Sequence, residues 1–178
     1  DLLHWRSVDD APPIGICGSG VVDLMAELLR ARLLSERGAL VGEHPALRRG
    51  AGAPELVVVP GRDTGHGRDL TVQRRDLHEI ALAKAAIRSA IDTLLARAGL
   101  DARAVDRVVV AGAFGSYLDL GSAVRIGMFP ALPRERFVQV GNAAGLGARQ
   151  VLVSRRREAN GLALARRAVH VELGAEPG

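Results

Sequence analysis

Three times in 178 residues, an apolar stretch runs into a cluster of glycines and a helical pattern begins directly after it. Pro12-Pro13 opens the first case: Ile14 to Ile16, a strand or an extended segment, enters GICGSG, and Val21, Leu24, Met25, Leu28 and Leu29 then recur at helical spacing to about Leu34. The second is Asp106 to Gly115, DRVVVAGAFG, followed by a short helix through Ile126 that Asp119 or Ser122 caps. The third is Phe137 to Asn142, FVQVGN, followed by a helix begun by the small residues Asn142 to Gly147. Glycine lets a backbone turn sharply and approach a ligand closely, and a helix N-terminus offers free N–H groups at a positive dipole end. One such turn is explained by a tight strand–helix junction. Three of them, in strands that alternate with helices, specify an α/β domain and point to one phosphate- or nucleotide-bearing cleft at the strand ends.

The remaining segments fill in around these junctions. Glu55 to Val59 reads as a strand paired with Asp69 to Val72 across the loop GRDTGHGR, a mobile hairpin rather than a phosphate loop because no helix follows it. Arg74 to Ala98 is the longest periodic segment, with Leu77, Ile80, Ala81, Lys84, Ile87, Ile91, Leu94 and Leu95 on one face and Gly99 as its stop. A last amphipathic helix is expected over about Arg155 to Arg167, and a strand over Val169 to Leu173.

Composition removes several classes of function. The length suits one domain or one lobe, and no apolar run approaches the ~18 residues that a membrane span needs. DLLHWRSVDD is not a signal peptide, and its lack of methionine suits a piece of something longer. A single cysteine, Cys17, and five scattered histidines point to a cytoplasmic domain with no metal or disulfide of its own. Only one of the 24 bases is lysine, so little titrates above neutrality and the alkaline isoelectric point is weak support for nucleic acid. At 3% aromatics the chain lacks a stacking platform, and Arg155-Arg156-Arg157 with Arg166-Arg167 read as a solvated helix face. No GxxxxGK[ST] occurs, and Gly15-x-x-Gly18-x-Gly20 lacks the third glycine of the dinucleotide fingerprint.

Four blocks in order, GICGSGVVDLMAELL, QRRDLHEIALAKAAIRSAIDTLL, DRVVVAGAFGSYLDLGSAVRIGMFP and VQVGNAAGLGA, resemble the C-terminal part of the reductive activators of corrinoid proteins. The resemblance implies a ribonuclease-H-like lobe of the actin, sugar-kinase and heat-shock-chaperone ATPase superfamily, with residues 1–178 as one domain. It implies ATP or ADP with Mg as ligand, Gly18, Ser19 and Gly20 near the phosphates, and Asp23 holding the turn or a polar group. Gly112, Ala113, Phe114 and Gly115 match the adenosine motif, so Gly115→Val is expected to block a nucleoside without touching the core. Lys84, the lone lysine, or Arg88 would reach ribose or phosphate from the long helix, while Asn142 and Gly145 serve packing and hinge geometry. Cys17 reads as a small buried residue of the turn and Ser19 as a phosphate- or backbone-bonding hydroxyl.

The family's acidic–glycine–threonine phosphate loop and its CxxxxCxxC stretch are not found, so the metal-coordinating carboxylates and the 2Fe-2S cluster are expected only in a full-length protein. The expected partners are an upstream lobe of the same protein and a corrinoid protein as electron acceptor, possible homodimerisation included, with neither nucleic acid nor membrane. The rival expectation is an interaction or dimerisation module that keeps the fold without the nucleotide.

Overall fold

The computed structural model describes residues 4–35, 37–50 and 52–172. It divides into two compact units, one comprising the chain up to Arg88 with Asp119–Ala131, the other Ser89–Leu118 with the chain from Leu132 onward. No described helix is long and apolar enough to cross a membrane.

The first unit holds most of the buried apolar side chains. Helix α1 (Gly18–Arg30) buries Val22, Met25, Ala26 and Leu28, and Arg30 at its negative end pairs with Glu27 at 2.6 Å. Strands β1 (Leu47–Arg48), β2 (Glu55–Val59) and β3 (Leu70–Gln73) form an antiparallel sheet in that order, with Leu56 opposite Val72 and an irregularity between Val57 and Val59. The expected hairpin is therefore present. Its loop is folded on itself: the buried Thr64 hydroxyl lies 2.9 Å from the carbonyl oxygens of Gly61 and Arg68, and the Gly65 N–H donates to Pro13 O at 2.9 Å. Helix α2 (Arg74–Arg97) follows directly on β3, and the division between units falls inside it. Only Leu77 of α2 is fully buried, so the long apolar face read from the sequence is for the most part partly exposed.

The second unit is built on two parallel strands, β4 (Val108–Val110) and β5 (Phe137–Gln139), paired Val108 to Phe137 and Val110 to Gln139. Helix α3 (Ala113–Tyr117) follows β4. Helix α4 (Leu120–Arg125), which belongs to the first unit and packs on α1, is capped by Asp119, whose carboxylate accepts from the Ser122 N–H at 2.7 Å. Helices α5 (Ala143–Val153) and α6 (Arg155–Arg167) pack together after β5. Asn142 caps α5 by accepting from the Gly145 N–H at 2.9 Å. Of this unit's large apolar side chains, only Leu118 and Phe137 are buried among the described residues.

One expected strand does not form, and a segment read as a strand or an extended segment is irregular. Ile14 to Ile16 is irregular, with Ile14 75% exposed, because it has no neighbouring strand to pair with and instead packs on Gly65. Val169 to Glu172 is likewise irregular and exposed, and Leu173 lies outside the described residues. A β-branched pair is not a strand without a ladder to join.

Two outcomes follow for stability. The Gln139 side chain donates to Gly115 O at 2.6 Å and to Leu118 O at 2.9 Å, so Gln139→Leu strands two carbonyls. The loss expected in urea unfolding is roughly 1–3 kcal/mol; an unchanged midpoint would refute the role. Asp69 accepts from the Gly61 N–H at 2.6 Å and pairs with Arg48, which together hold its carboxyl below the usual aspartate range. A folded-state value depressed below the unfolded one contributes stability above the unfolded pKa and loses it as pH falls through the folded pKa. Asp69→Asn should therefore flatten the acid limb of the stability–pH curve and leave its neutral-to-alkaline part the same shape.

Candidate functional site

The glycines at the start of α1 occupy its first turn. Cys17 is the N-cap residue in extended backbone, and its side chain makes no capping hydrogen bond. The burial expected of Cys17 is not found: as the residue before the helix it is exposed, its Sγ lies 3.4 Å from Ser19 Oγ, and the Ser19 hydroxyl, then the Gly20 N–H, hold the thiol below its usual pKa. A Cβ on Gly20 would meet Cys17 Sγ and Ile16 at 3.4 Å, ordinary contact, so packing does not demand glycine there.

Asp23, one turn into the helix, has its Oδ1 buried with no hydrogen-bond partner among the described residues. A buried carboxylate oxygen without a donor costs free energy, roughly 1–3 kcal/mol or more when charged. The position fits a group that brings a donor, such as a hydroxyl, an ammonium or metal-bound water.

Lys84 and Arg88 also belong to the first unit, on α2, and both are partly buried. The Lys84 ammonium lies 3.8 Å from the point that a Cβ on Gly127 would occupy. Gly127 has φ 78° and follows α4, so the ammonium stands near the negative end of that helix.

Gly112, Ala113, Phe114 and Gly115 lie in the second unit at the β4–α3 turn. Gly112 has φ 101°, a conformation that side chains other than glycine's rarely adopt, and open space lies where its Cβ would be. Its N–H donates to Gly141 O at 2.7 Å, tying the two glycine turns of the unit together. Ala113 and Phe114 are exposed. Gly115 is different: it is buried, and a Cβ there would sit 2.7 Å from the Val110 side chain. The expectation that Gly115→Val spares the core is thus wrong, because glycine at this position is required by the packing of α3 on β4.

Sequence reasoning missed the bridging role of Gln139 and the link between Gly112 and Gly141. The only signal for Gln139 was a polar residue inside an apolar strand. Among the described residues, no three His, Cys, Asp or Glu side chains group as a set that could hold a metal ion.

Comparison with known proteins places this geometry in a family. Residues 2–178 match the family model of the C-terminal domain of RACo, the ASKHA domain. The corrinoid activation enzyme RamQ of Eubacterium limosum is 33% identical over 185 residues, covering 98% of this chain and 31% of that protein. The [Co(II) methylated amine-specific corrinoid protein] reductase of Methanosarcina barkeri is 28% identical, over 81% of this chain and 23% of its own length. A solved structure of a reductive activator for corrinoid, iron–sulfur protein superposes with a TM-score of 0.88 at 35% identity, covering 97% of this chain and 28% of that one. The chain thus spans less than a third of the length of each. The actin-like ATPase fold that the resemblance implied agrees with these matches, and the chain belongs to the family of RACo C-terminal, ASKHA domains.

Proposed function

We propose that this chain is the ATP-binding lobe of a cytoplasmic, ATP-dependent reductive activator of a corrinoid protein. The observation that carries the nucleotide reading is the buried, donorless Oδ1 of Asp23, one turn behind the uncapped amides of α1. The relatives, named for corrinoid activation and corrinoid reduction, support the corrinoid protein as partner and electron acceptor. Bound ATP supplies the free energy that moves a low-potential electron to cobalt.

The chain's own residues bind and orient. In the first unit the amides of Gly18, Ser19 and Gly20 donate to phosphate oxygens, with the Ser19 hydroxyl as a further donor. Asp23 accepts from a hydroxyl or from metal-bound water. Lys84 and Arg88 supply cationic donors to ribose or phosphate, and a compact ammonium suits a site shared with a helix end better than a guanidinium does. In the second unit Gly112 leaves room for a nucleoside to approach the backbone of Ala113 and Phe114. The carboxylates for Mg, the 2Fe-2S cluster and the upstream lobe belong to the rest of a longer protein. The thinly buried second unit supports that upstream lobe, because a parallel sheet is ordinarily covered on both faces. Nucleotide binding between lobes changes their angle, and that change biases the complex with the acceptor.

Calorimetric titration of the chain with MgADP and MgATP tests the reading. Asp23→Ala and, separately, Lys84→Arg should each weaken affinity at least tenfold, about 1.4 kcal/mol. Unchanged affinity in either variant removes that residue from the site. Cys17 is the chain's sole thiol and caps α1, so MgATP should slow its alkylation by iodoacetamide. No binding and no protection, with the upstream lobe supplied, would sink the nucleotide reading. The interaction or dimerisation module would then stand, favoured by the exposed Val109 and Val138 that pair across β4 and β5.

A further inference from the structure

Helix α6 is exposed along its whole length except at the half-buried Gly161, where a Cβ would lie 3.8 Å from Val151 of α5. At about 100° per residue, Arg155, Arg156, Arg166 and Arg167 fall within an arc of about 120°. The middle of that arc is about 180° from Gly161, so the arginines face directly away from α5. The one carboxylate of the helix, Glu158, lies outside the arc, and none of the four arginines has an ion-pair partner among the described residues. Of these four, two stand at each end of the helix, the outermost roughly 18 Å apart, with the small or apolar Ala159, Leu162 and Ala163 between them and Arg157 outside the arc. The first pair also sits in the opening turn, at the positive end of the helix dipole, where cations are unfavourable and an external anion is welcome.

We propose that this face of α6 docks an acidic protein surface, one that presents carboxylates at two points roughly 18 Å apart around a small apolar patch. The inference rests on the function proposed above in one respect: the surface is assigned to the corrinoid protein. A membrane is disfavoured because Leu162 and Leu164 lie about 160° apart on the helix and form no common apolar face. A nucleic acid is disfavoured because the cations gather at two ends rather than along a line, and α6 carries no aromatic residue to stack on bases.

The test uses the full chain, a purified corrinoid protein, a DNA duplex and phosphatidylserine vesicles, in low salt. The variant is Arg155→Glu with Arg156→Glu, which places carboxylates at the end of α6 that favours them and so should hold or raise the melting midpoint. Affinity for the corrinoid protein should fall at least tenfold while MgATP affinity is unchanged, and added salt should weaken the wild type more than the variant. Equal binding by wild type and variant overturns this inference and leaves the proposed function standing. No binding of the corrinoid protein by the wild type overturns both the inference and the assignment of that partner. Binding to the duplex or the vesicles that the variant loses, with corrinoid-protein affinity unaffected, reassigns the face and also overturns the inference.

Discussion

Two parallel strands have two faces and two edges to satisfy, and the pair β4–β5 satisfies only part of this. One face carries Phe137, which is buried, and Gln139, whose amide reaches back to the turn after β4. The other carries Val109, 56% exposed, beside Val138. Parallel pairing gains little per residue unless both faces are covered. A short strand pair with so little burial does not offset the entropy of ordering the helices strung from it. The second unit thus leaves one apolar face of its strand pair, Val109 and Val138, open to water among the described residues.

Within that unit the glycines divide by physical cause. Gly112 and Gly141 have φ 101° and 64° and are joined by a hydrogen bond from the first to the second, so they set the path of the chain out of both strands. Gly115 is small because Val110 occupies the space beside it. Only the first kind leaves backbone accessible to a ligand. A motif such as GAFG therefore mixes a residue needed for conformation, a residue needed for packing and two that are exposed, and its letters alone do not separate them.

The sequence made the local elements legible and the tertiary ones less so. The short apolar, β-branched run of Glu55-Leu-Val-Val-Val59 and the apolar spacing of α1 and α2 are local signals, and the structure has these elements within a few residues of the expected ends. The cap of α4 was legible as Asp119 or Ser122, and the structure selects Asp119; the cap of α5 at Asn142, read as packing and hinge geometry, was missed although its residue type suits an N-cap. The strand expected from Val169 was misread, and the choice between strand and extended segment at Ile14 to Ile16 stayed open, because strand formation depends on a neighbour that a local window does not contain. The same holds for the candidate site. Glycine positions were visible, whereas the orphaned oxygen of Asp23, the place of Lys84 at the end of α4 and the carbonyls held by Gln139 depend on residues distant in sequence.

Asp23 and Lys84 show how differently a charged side chain can be placed in one unit. Lys84 stands at a helix end whose dipole favours a cation, so its charge has a structural reason and needs no ligand to explain it. Asp23 has no such reason. One of its oxygens is buried without a donor, on a helix whose other buried residues are apolar. Replacing it by an apolar residue of similar size would be neutral or stabilising if the fold were the only constraint, because the desolvation penalty would vanish. A donor that arrives with a ligand would satisfy that oxygen, which is the basis of the function proposed above. Of the two, Asp23 is the residue on which the nucleotide reading depends, and Lys84 can fail as a ligand contact without removing it.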